Sequence, residues 1–433
     1  VLFEVIENHQ LHLSGIPFPT SGGFERFELI KEQSIIRRTV SLRSGEERVS
    51  DISLPSGLVV SENLADSYDL AWLQSKSKPV TRNSSNNKTI RAADLFCGCG
   101  GLSVGLREAA RALETEVEFV FASDINEAAL SVYEQNISPS FSSSLPIESY
   151  IDGDFGAKVT SAEKALIDKI GKIDFVFAGP PCQGHSDLNN HTRRDDPKNQ
   201  LVLRVARFAE LFRPKFLVIE NVPGIKHDRL GSLLDAKKAL SALGYSLDET
   251  LMRAEKFGVP QARKRFFLVA VLDGESNLST LDMSHESQSR DVAWAITDLL
   301  GATETDIFDT SAVHSQENKR RIKFLFEHGL YDLPNSERPS CHRDKKHSYT
   351  SVYGRMHWNK PSQTITTGFG SVGQGRFVHP LKERTLTPHE AARIQFFPDF
   401  FEFGDFGRRQ LQLLIGNAVP SKLAYVLALH QLR

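Results

Sequence analysis

The sequence predicts an α/β protein: a doubly wound, mostly parallel sheet followed by a smaller, irregular domain. Three observations carry this. Apolar runs of strand length recur between residues 89 and 222, alternating with stretches whose apolar residues fall at helical spacing. Several of the runs are continuously apolar, as in strands covered by helices on both faces. The alternation stops near residue 273, where a long polar and charged stretch begins.

The elements follow in order. Residues 1–75 mix short apolar stretches (LFEVI, SGLVV) with polar turns and carry no assignable motif, and SKSKPVTRNSSNN (76–88) reads as a linker. TIRAADLF (89–96) is a strand that ends in the glycine-rich CGCGG, after which Leu102, Leu106, Ala109, Ala110 and Leu113 recur at helical spacing. EFVFASD (118–124) is the second strand, followed by a helix carrying Ala128, Ala129, Val132 and Tyr133. IDFVFAGPP (173–181) is the third and runs straight into Cys182. LVLRVARFAELF is a helix and KFLVIENV (215–222) the fourth strand. Two apolar runs flanking FGVPQAR, after Gly244, suggest an added antiparallel pair. In TPHEAARIQFF, Thr387 is a helix cap, Pro388 lies in the first turn and Glu390 completes a capping box. LIGNAVPSKLAYVLALHQL closes the chain with a loop and an apolar helix.

Composition narrows the function classes. Lys and Arg (52) nearly balance Asp and Glu (54), so any polyanion-binding surface must come from local segregation of charge. Such segregation is present: residues 273–313 are acidic, whereas 314–360 are basic, with His314, His328, His342, His347 and His357 and several aromatics interleaved. The four cysteines, Cys97, Cys99, Cys182 and Cys341, form no disulfide framework, and Cys97-x-Cys99 has the wrong spacing for a zinc knuckle. No metal site is expected. No apolar run approaches the ~18 residues of a membrane span, and the first residues lack the layout of a signal peptide. A reducing, cytoplasmic setting without a membrane partner is expected.

The chemistry collects at strand ends. A strand, a glycine-rich turn and a helix (DLFCGCGGL, 94–102) make a nucleotide-binding corner, although tight strand-to-helix turns also use glycine for packing alone. Asp124 ends the second strand about 20–30 residues further on, where an acidic residue accepts hydrogen bonds from ribose hydroxyls. Cys182 and Glu220 follow the third and fourth strands and so reach the same crevice. A thiol and a carboxyl there suit nucleophilic addition with proton transfer. The two consecutive prolines before Cys182 make a stiff corner, as suits a thiol presented at a fixed angle, although taken singly Cys182 and Glu220 also read as a loop cysteine and a capping glutamate. Arg263 and Arg265 in QARKR, one residue apart at a strand entrance, would project to one face, which taken alone also reads as a solvated basic face.

Taken together, DLFCGCGG, GPPCQG, ENV, QARKR and GNAVP resemble, in order and interval, the motifs of the DNA (cytosine-5)-methyltransferase family, and RTLTPHEAARIQFFP resembles its late motif. The resemblance covers about residues 89–433 and points to a bacterial or phage modification methylase. It implies a Rossmann-like fold dependent on S-adenosylmethionine, with a catalytic domain over 89–272, a target recognition domain and hinge over 273–415, and a return to the catalytic domain over 416–433. Residues 1–88 lie outside it, as a regulatory or DNA-contacting extension or as a structural cap.

The residue roles are implied motif by motif. Cys182 would be the nucleophile that adds to carbon 6 of cytosine. Glu220 would contact the ring nitrogen and exocyclic amine, Arg265 would hold the base's carbonyl oxygen, and Arg263 would support the loop. Phe96, Gly98, Gly101 and Leu102 would surround S-adenosylmethionine, Asp124 would bind its ribose, and Ile125 would flank its adenine. Asp154 would face the adenine amine with Phe155 beside it, and Gly179, Pro180, Leu201, Asn417 and Val419 would complete the pocket. His185 departs from the family, which often carries Phe there.

The implied partner is double-stranded DNA, with the target base flipped out. A cognate restriction endonuclease acting on the same site, without direct contact, is also implied, as is a nucleoid-associated location. Two other readings share the scaffold: an RNA cytosine-5 methyltransferase, whose branch typically shows Pro-Phe-Thr where this chain has Gly184-His185-Ser186, and a non-catalytic regulatory homologue.

Overall fold

The computed structural model describes residues 24–82, 89–181, 201–227, 231–285, 287–303, 306–343 and 351–433. Its first elements are ones the sequence did not announce. Strands β1 (Glu25–Ile30), β2 (Ile35–Ser41) and β3 (Glu47–Ser53) form an antiparallel sheet, and helix α1 (Leu64–Leu73) follows, capped by the Asn63 side chain. Along β2, Ile36, Arg38 and Val40 are buried at the two-residue period of a strand. Ile36 and Val40, with Tyr68, Ala71, Trp72 and Leu73, join the hydrophobic core of the rest of the protein.

The main sheet grows by the predicted alternation. In chain order it contains β4 (Thr89–Leu95), α2 (Gly101–Ala112), β5 (Glu116–Ser123), α3 (Glu127–Ile137), β6 (Ser142–Ser143) and α4 (Ser161–Ile170). Then come β7 (Phe175–Ala178), α5 (Leu201–Phe212), β8 (Phe216–Asn221), α6 (Ser232–Ala242) and β9 (Tyr245–Arg253). A two-residue strand β10 (Gln261–Ala262) precedes β11 (Lys264–Leu272). The seven strands lie in the order β6-β5-β4-β7-β8-β11-β9. The first five are parallel, and β11 is antiparallel to both neighbours, as the runs around FGVPQAR suggest.

Alternate residues of each strand feed opposite faces. Ala92, Phe119, Phe175, Phe177, Val218 and Phe267 pack toward α2 and the C-terminal helix, whereas Ala93, Phe121, Val176, Ile219 and Phe266 pack toward α4, α5 and α6. From β4 the chain runs outward to β5 and β6, then returns to β7 on the other side. This reversal opens a crevice at the carboxyl ends of β4 and β7.

Beyond β11 the chain is mostly irregular. It forms α7 (Leu281–His285), α8 (Val292–Ile296), α9 (Gln316–Glu327) and β12 (Ser362–Gln363), which pairs with β10. Ile322, Leu325, Leu333, Val372 and Val378 make a small separate core for this region. Helix α10 (Pro388–Ile394) carries the predicted Thr387–Glu390 capping box. The chain then ends in two helices rather than a loop and a helix: α11 (Arg408–Asn417) already includes Gly416 and Asn417, and the break before α12 (Ser421–Leu432) spans only 418–420. Arg408–Leu432 is long and apolar enough to cross a membrane, but most of it is buried in the core.

Candidate active site

The glycine corner is built on positive φ angles. Phe96 (φ 59°), Gly98 (φ 53°) and Gly100 (φ 100°) turn the chain from β4 into α2, and a side chain at Gly100 would press on the Tyr133 ring at 3.0 Å. The turn is fixed by Asp124, whose two carboxylate oxygens accept the Gly98 and Asn126 N–H groups, each at 2.8 Å. A carboxylate has about four lone-pair sites, so acceptor capacity remains for ribose hydroxyls. Gly101 is glycine for another reason: a Cβ there would lie 2.3 Å from the Val419 carbonyl oxygen. The corner and the segment between α11 and α12 are therefore in backbone contact.

Ile125, next to Asp124, is 66% exposed and Phe155 40% exposed, two large apolar side chains left facing solvent. The Asp154 side chain is almost fully exposed, 3.8 Å from the Arg204 guanidinium. Gly179 donates its N–H to the Leu95 carbonyl at 3.0 Å, joining the ends of β7 and β4. Pro180 is buried and its carbonyl accepts from Asn221 at 3.3 Å. Leu201 is half-buried at the start of α5, Asn417 is exposed at the end of α11, and Leu102 and Val419 are largely buried.

Glu220, at the end of β8, is buried and receives the Arg265 Nε–H at 2.8 Å. Burial pushes its carboxyl above the usual range, and the charges of Arg265 and Arg263 pull it only partly back. Gly179 lies beside it, since a Cβ on Gly179 would sit 3.7 Å from Glu220 Oε2. The two arginines do not share a role. Arg263 falls between β10 and β11, where the Arg263 N–H to Gln261 carbonyl bond kinks the chain, and its buried guanidinium donates to the Ile365 and Gly416 carbonyls. It ties the corner to α11, while Arg265 reaches the glutamate. Cys182 and His185 lie outside the described residues.

Several residues inside the motifs have structural roles that the motifs alone do not assign. Asp94 is fully buried behind the glycine turn, bonded to Ser103 Oγ at 2.6 Å, and its Ser103 partner lies 2.8 Å from the Tyr133 hydroxyl. Burial and the neighbouring Asp124 charge push its carboxyl up to about 7, against the Ser103 hydrogen bond. Burial also raises the thiols of Cys97 and Cys99, the latter to about 12, so neither serves as a thiolate. Gln261 and Gln395 bond to each other at 2.8 Å, and Gln395 donates to the Ile415 and Ala418 carbonyls, fixing the GNAVP turn from beneath.

The described crevice fits S-adenosylmethionine: an anchored carboxylate with spare acceptors, a solvent-facing apolar side chain next to it at Ile125, and open space over Gly98. It is the crevice of a group-transfer enzyme that takes an adenosine-bearing cofactor. Comparison with known proteins carries this further. Residues 90–431 match the family model for C-5 cytosine-specific DNA methylases. The chain is 56% identical, over 92% of both sequences, to the type II methyltransferase M1.BsuMI of Bacillus subtilis. It is 30% identical to the type II methyltransferase M1.HphI of Haemophilus parahaemolyticus, over 77% of this chain and 84% of that one. Among solved structures, the S. pombe Dnmt2 methyltransferase shares the fold, with a TM-score of 0.54 and 19% identity over 79% of this chain and 98% of that one. The chain belongs to the C-5 cytosine-specific DNA methylases and is an S-adenosylmethionine-dependent DNA (cytosine-5)-methyltransferase.

Proposed function

We propose that Cys182, Glu220 and Arg265 carry out the methylation of cytosine at carbon 5 in a short, specific sequence of double-stranded DNA. The observation that carries the assignment is the buried Glu220–Arg265 pair at the crevice, beside the strand end that leads to Cys182. Carbon 5 of cytosine is a poor nucleophile. Addition of the Cys182 thiolate to carbon 6, with a proton delivered at the ring nitrogen by Glu220, turns the ring into an enamine whose carbon 5 is nucleophilic. The raised carboxyl of Glu220 keeps that proton available nearer neutral pH. Arg265, with donors engaged by Glu220 and the Lys264 carbonyl, has others to hold the base's carbonyl oxygen. After methylation, loss of the carbon-5 proton and expulsion of the Cys182 sulfur restore aromaticity.

Bound S-adenosylmethionine supplies the methyl group as an electrophile on its sulfonium. Asp124 would bind its ribose and Ile125, Asp154 and Phe155 its adenine, Phe96, Gly98, Gly101 and Leu102 would surround adenine and methionine, and Gly179, Pro180, Leu201, Asn417 and Val419 would complete the pocket. A base stacked inside a duplex cannot present its carbon 6 to a side chain at a strand end, so the target base would leave the duplex, at a cost of a few kcal/mol. The irregular region after β11, with its basic half, would meet phosphates and base edges. The protein would act on the nucleoid in a bacterial cytoplasm, as the modification partner of a restriction endonuclease that recognises the same site.

Base-resolution methylation sequencing of a methylation-free host expressing this chain tests the proposal. Near-complete cytosine methylation at one short motif, abolished by Cys182→Ala, is expected. An unmethylated genome from soluble, cofactor-binding protein would overturn it.

A further inference from the structure

The loop between Asp152 and Thr160, which bears Asp154 and Phe155, has almost no apolar anchorage. Asp152 and residues 154–159 are exposed, and only Gly153 is buried. It is held instead by charge. Arg204, Arg207 and Glu210 recur every third residue on one face of α5, and all three bond the loop's backbone. Arg204 donates to the Gly153 carbonyl at 2.8 Å, Arg207 to the Ala157 and Lys158 carbonyls at 3.0 and 3.3 Å, and Glu210 accepts the Gly156 N–H at 3.1 Å. From α4, Glu163 accepts the Gly153 and Thr160 N–H groups at 3.1 and 3.0 Å.

Arg207 and Glu163 meet at 2.7 Å with side chains 2% and 0% exposed. A buried ion pair is a poor device for stability alone, because desolvation offsets its attraction. Here both members also hold loop backbone. The approach is close enough that a Cβ on Gly153 would sit 2.7 Å from Glu163 and 3.0 Å from Arg207.

We propose that the Arg207–Glu163 pair is a positioning device for the cofactor: it fixes the 152–160 loop so that Asp154 and Phe155 face the adenine before S-adenosylmethionine arrives. The inference rests on the reading of those two residues as adenine contacts. Arg207→Lys keeps the charge but loses the planar fork that spans Glu163 and the two carbonyls. Its expected effect is a rise of about tenfold or more in the S-adenosylmethionine Kd, measured by titration calorimetry without DNA. Amide exchange at Gly153 and Gly156 should quicken, while kcat at saturating cofactor and KM for DNA stay within twofold.

Glu210→Ala, on the more exposed rim, should raise the Kd by about threefold in a protein that folds normally. It decides the matter if Arg207→Lys does not fold. An unchanged Kd in a folded variant, or a fall in kcat with Kd intact, would overturn the inference. Phe155→Ala separates the two claims. If it leaves the Kd unchanged, the reading of the loop as the adenine contact fails; if it weakens binding while Arg207→Lys and Glu210→Ala do not, only the positioning role fails.

Discussion

Replacing Glu220 by Gln removes the transferable proton from the crevice while keeping the side chain's size and its acceptor for Arg265 Nε at 2.8 Å. General-acid assistance of this kind contributes about 10²–10⁴ in rate. That corresponds to about 3–5 kcal/mol of transition-state stabilisation. Stability should move little, by less than about 2 kcal/mol, because the carboxylate being removed is itself disfavoured by burial while Arg265 retains a hydrogen bond. The assay is single-turnover methyl transfer to a duplex substrate, alongside thermal melting and calorimetric cofactor binding. The variant should bind S-adenosylmethionine normally and methylate at least about 10²-fold more slowly. The pH dependence adds a second readout. Because the folded carboxyl titrates above its usual range, the wild-type rate should fall as pH rises through that value, and the variant should lack this limb. A Glu220→Gln rate within threefold of wild type would refute the role of the carboxyl.

Other outcomes follow from the packing. Gly101→Ala places a methyl 2.3 Å from the Val419 carbonyl and should cost about 1–3 kcal/mol or more, read as a lower Tm together with weaker cofactor binding. Asp69→Ala strips a carboxylate that pairs Arg290 at 2.7 Å and Lys422 at 2.8 Å; since Arg290 keeps Asp66, a loss of about 3 kcal/mol in urea unfolding is expected. His389 bridges Asp309 and Asp399, and although burial works against its charged form, the hydrogen bond and charge of Asp399 and the hydrogen bond to Asp309 outweigh it and raise its pKa despite Arg393. Its contribution is fully present below the ordinary value of 6.5 and is lost as pH rises through the raised one. The Tm difference between wild type and His389→Gln should therefore shrink from about pH 6 to about pH 9. A difference that stays constant or widens would contradict the bridge.

What could be read from the sequence was what repeats locally. Six of the seven strands of the main sheet (all but the two-residue β6), the capping box at Thr387 and the placing of Asp124 and Glu220 at strand ends on one edge of the sheet all follow from periodicity and strand-end position. The N-terminal sheet could not be read that way, because its partners are distant in the chain. Arg38 pairs Glu108 at 3.0 Å and donates to the Tyr425 hydroxyl at 2.9 Å, and Trp72 stacks on Phe396. Residues 24–73 thus complete the core around α2 and α12, and their pattern has meaning only once those helices are placed. Arg263 and Arg265 illustrate the same limit. Their spacing suggested a shared face, but a kink between two strands turned one arginine into a backbone tie and left the other beside the glutamate. The grip of Arg207 and Glu163 on the 152–160 loop carries no sequence signature either, since it joins two helices through a loop of exposed residues.

The central claim is a covalent bond between the Cys182 sulfur and carbon 6 of a flipped cytosine. The direct test places 5-fluorocytosine at the target position of a duplex containing the methylated motif, adds S-adenosylmethionine and protein, and measures intact mass under denaturing conditions. The fluorine cannot leave as a proton does, so the adduct should persist: a species at the summed mass of protein, DNA strand and one methyl, with the modified peptide containing Cys182. Cys182→Ala should bind the same duplex and give none. A wild-type protein that methylates ordinary cytosine yet forms no such adduct, or one attached elsewhere in the chain, would contradict the account.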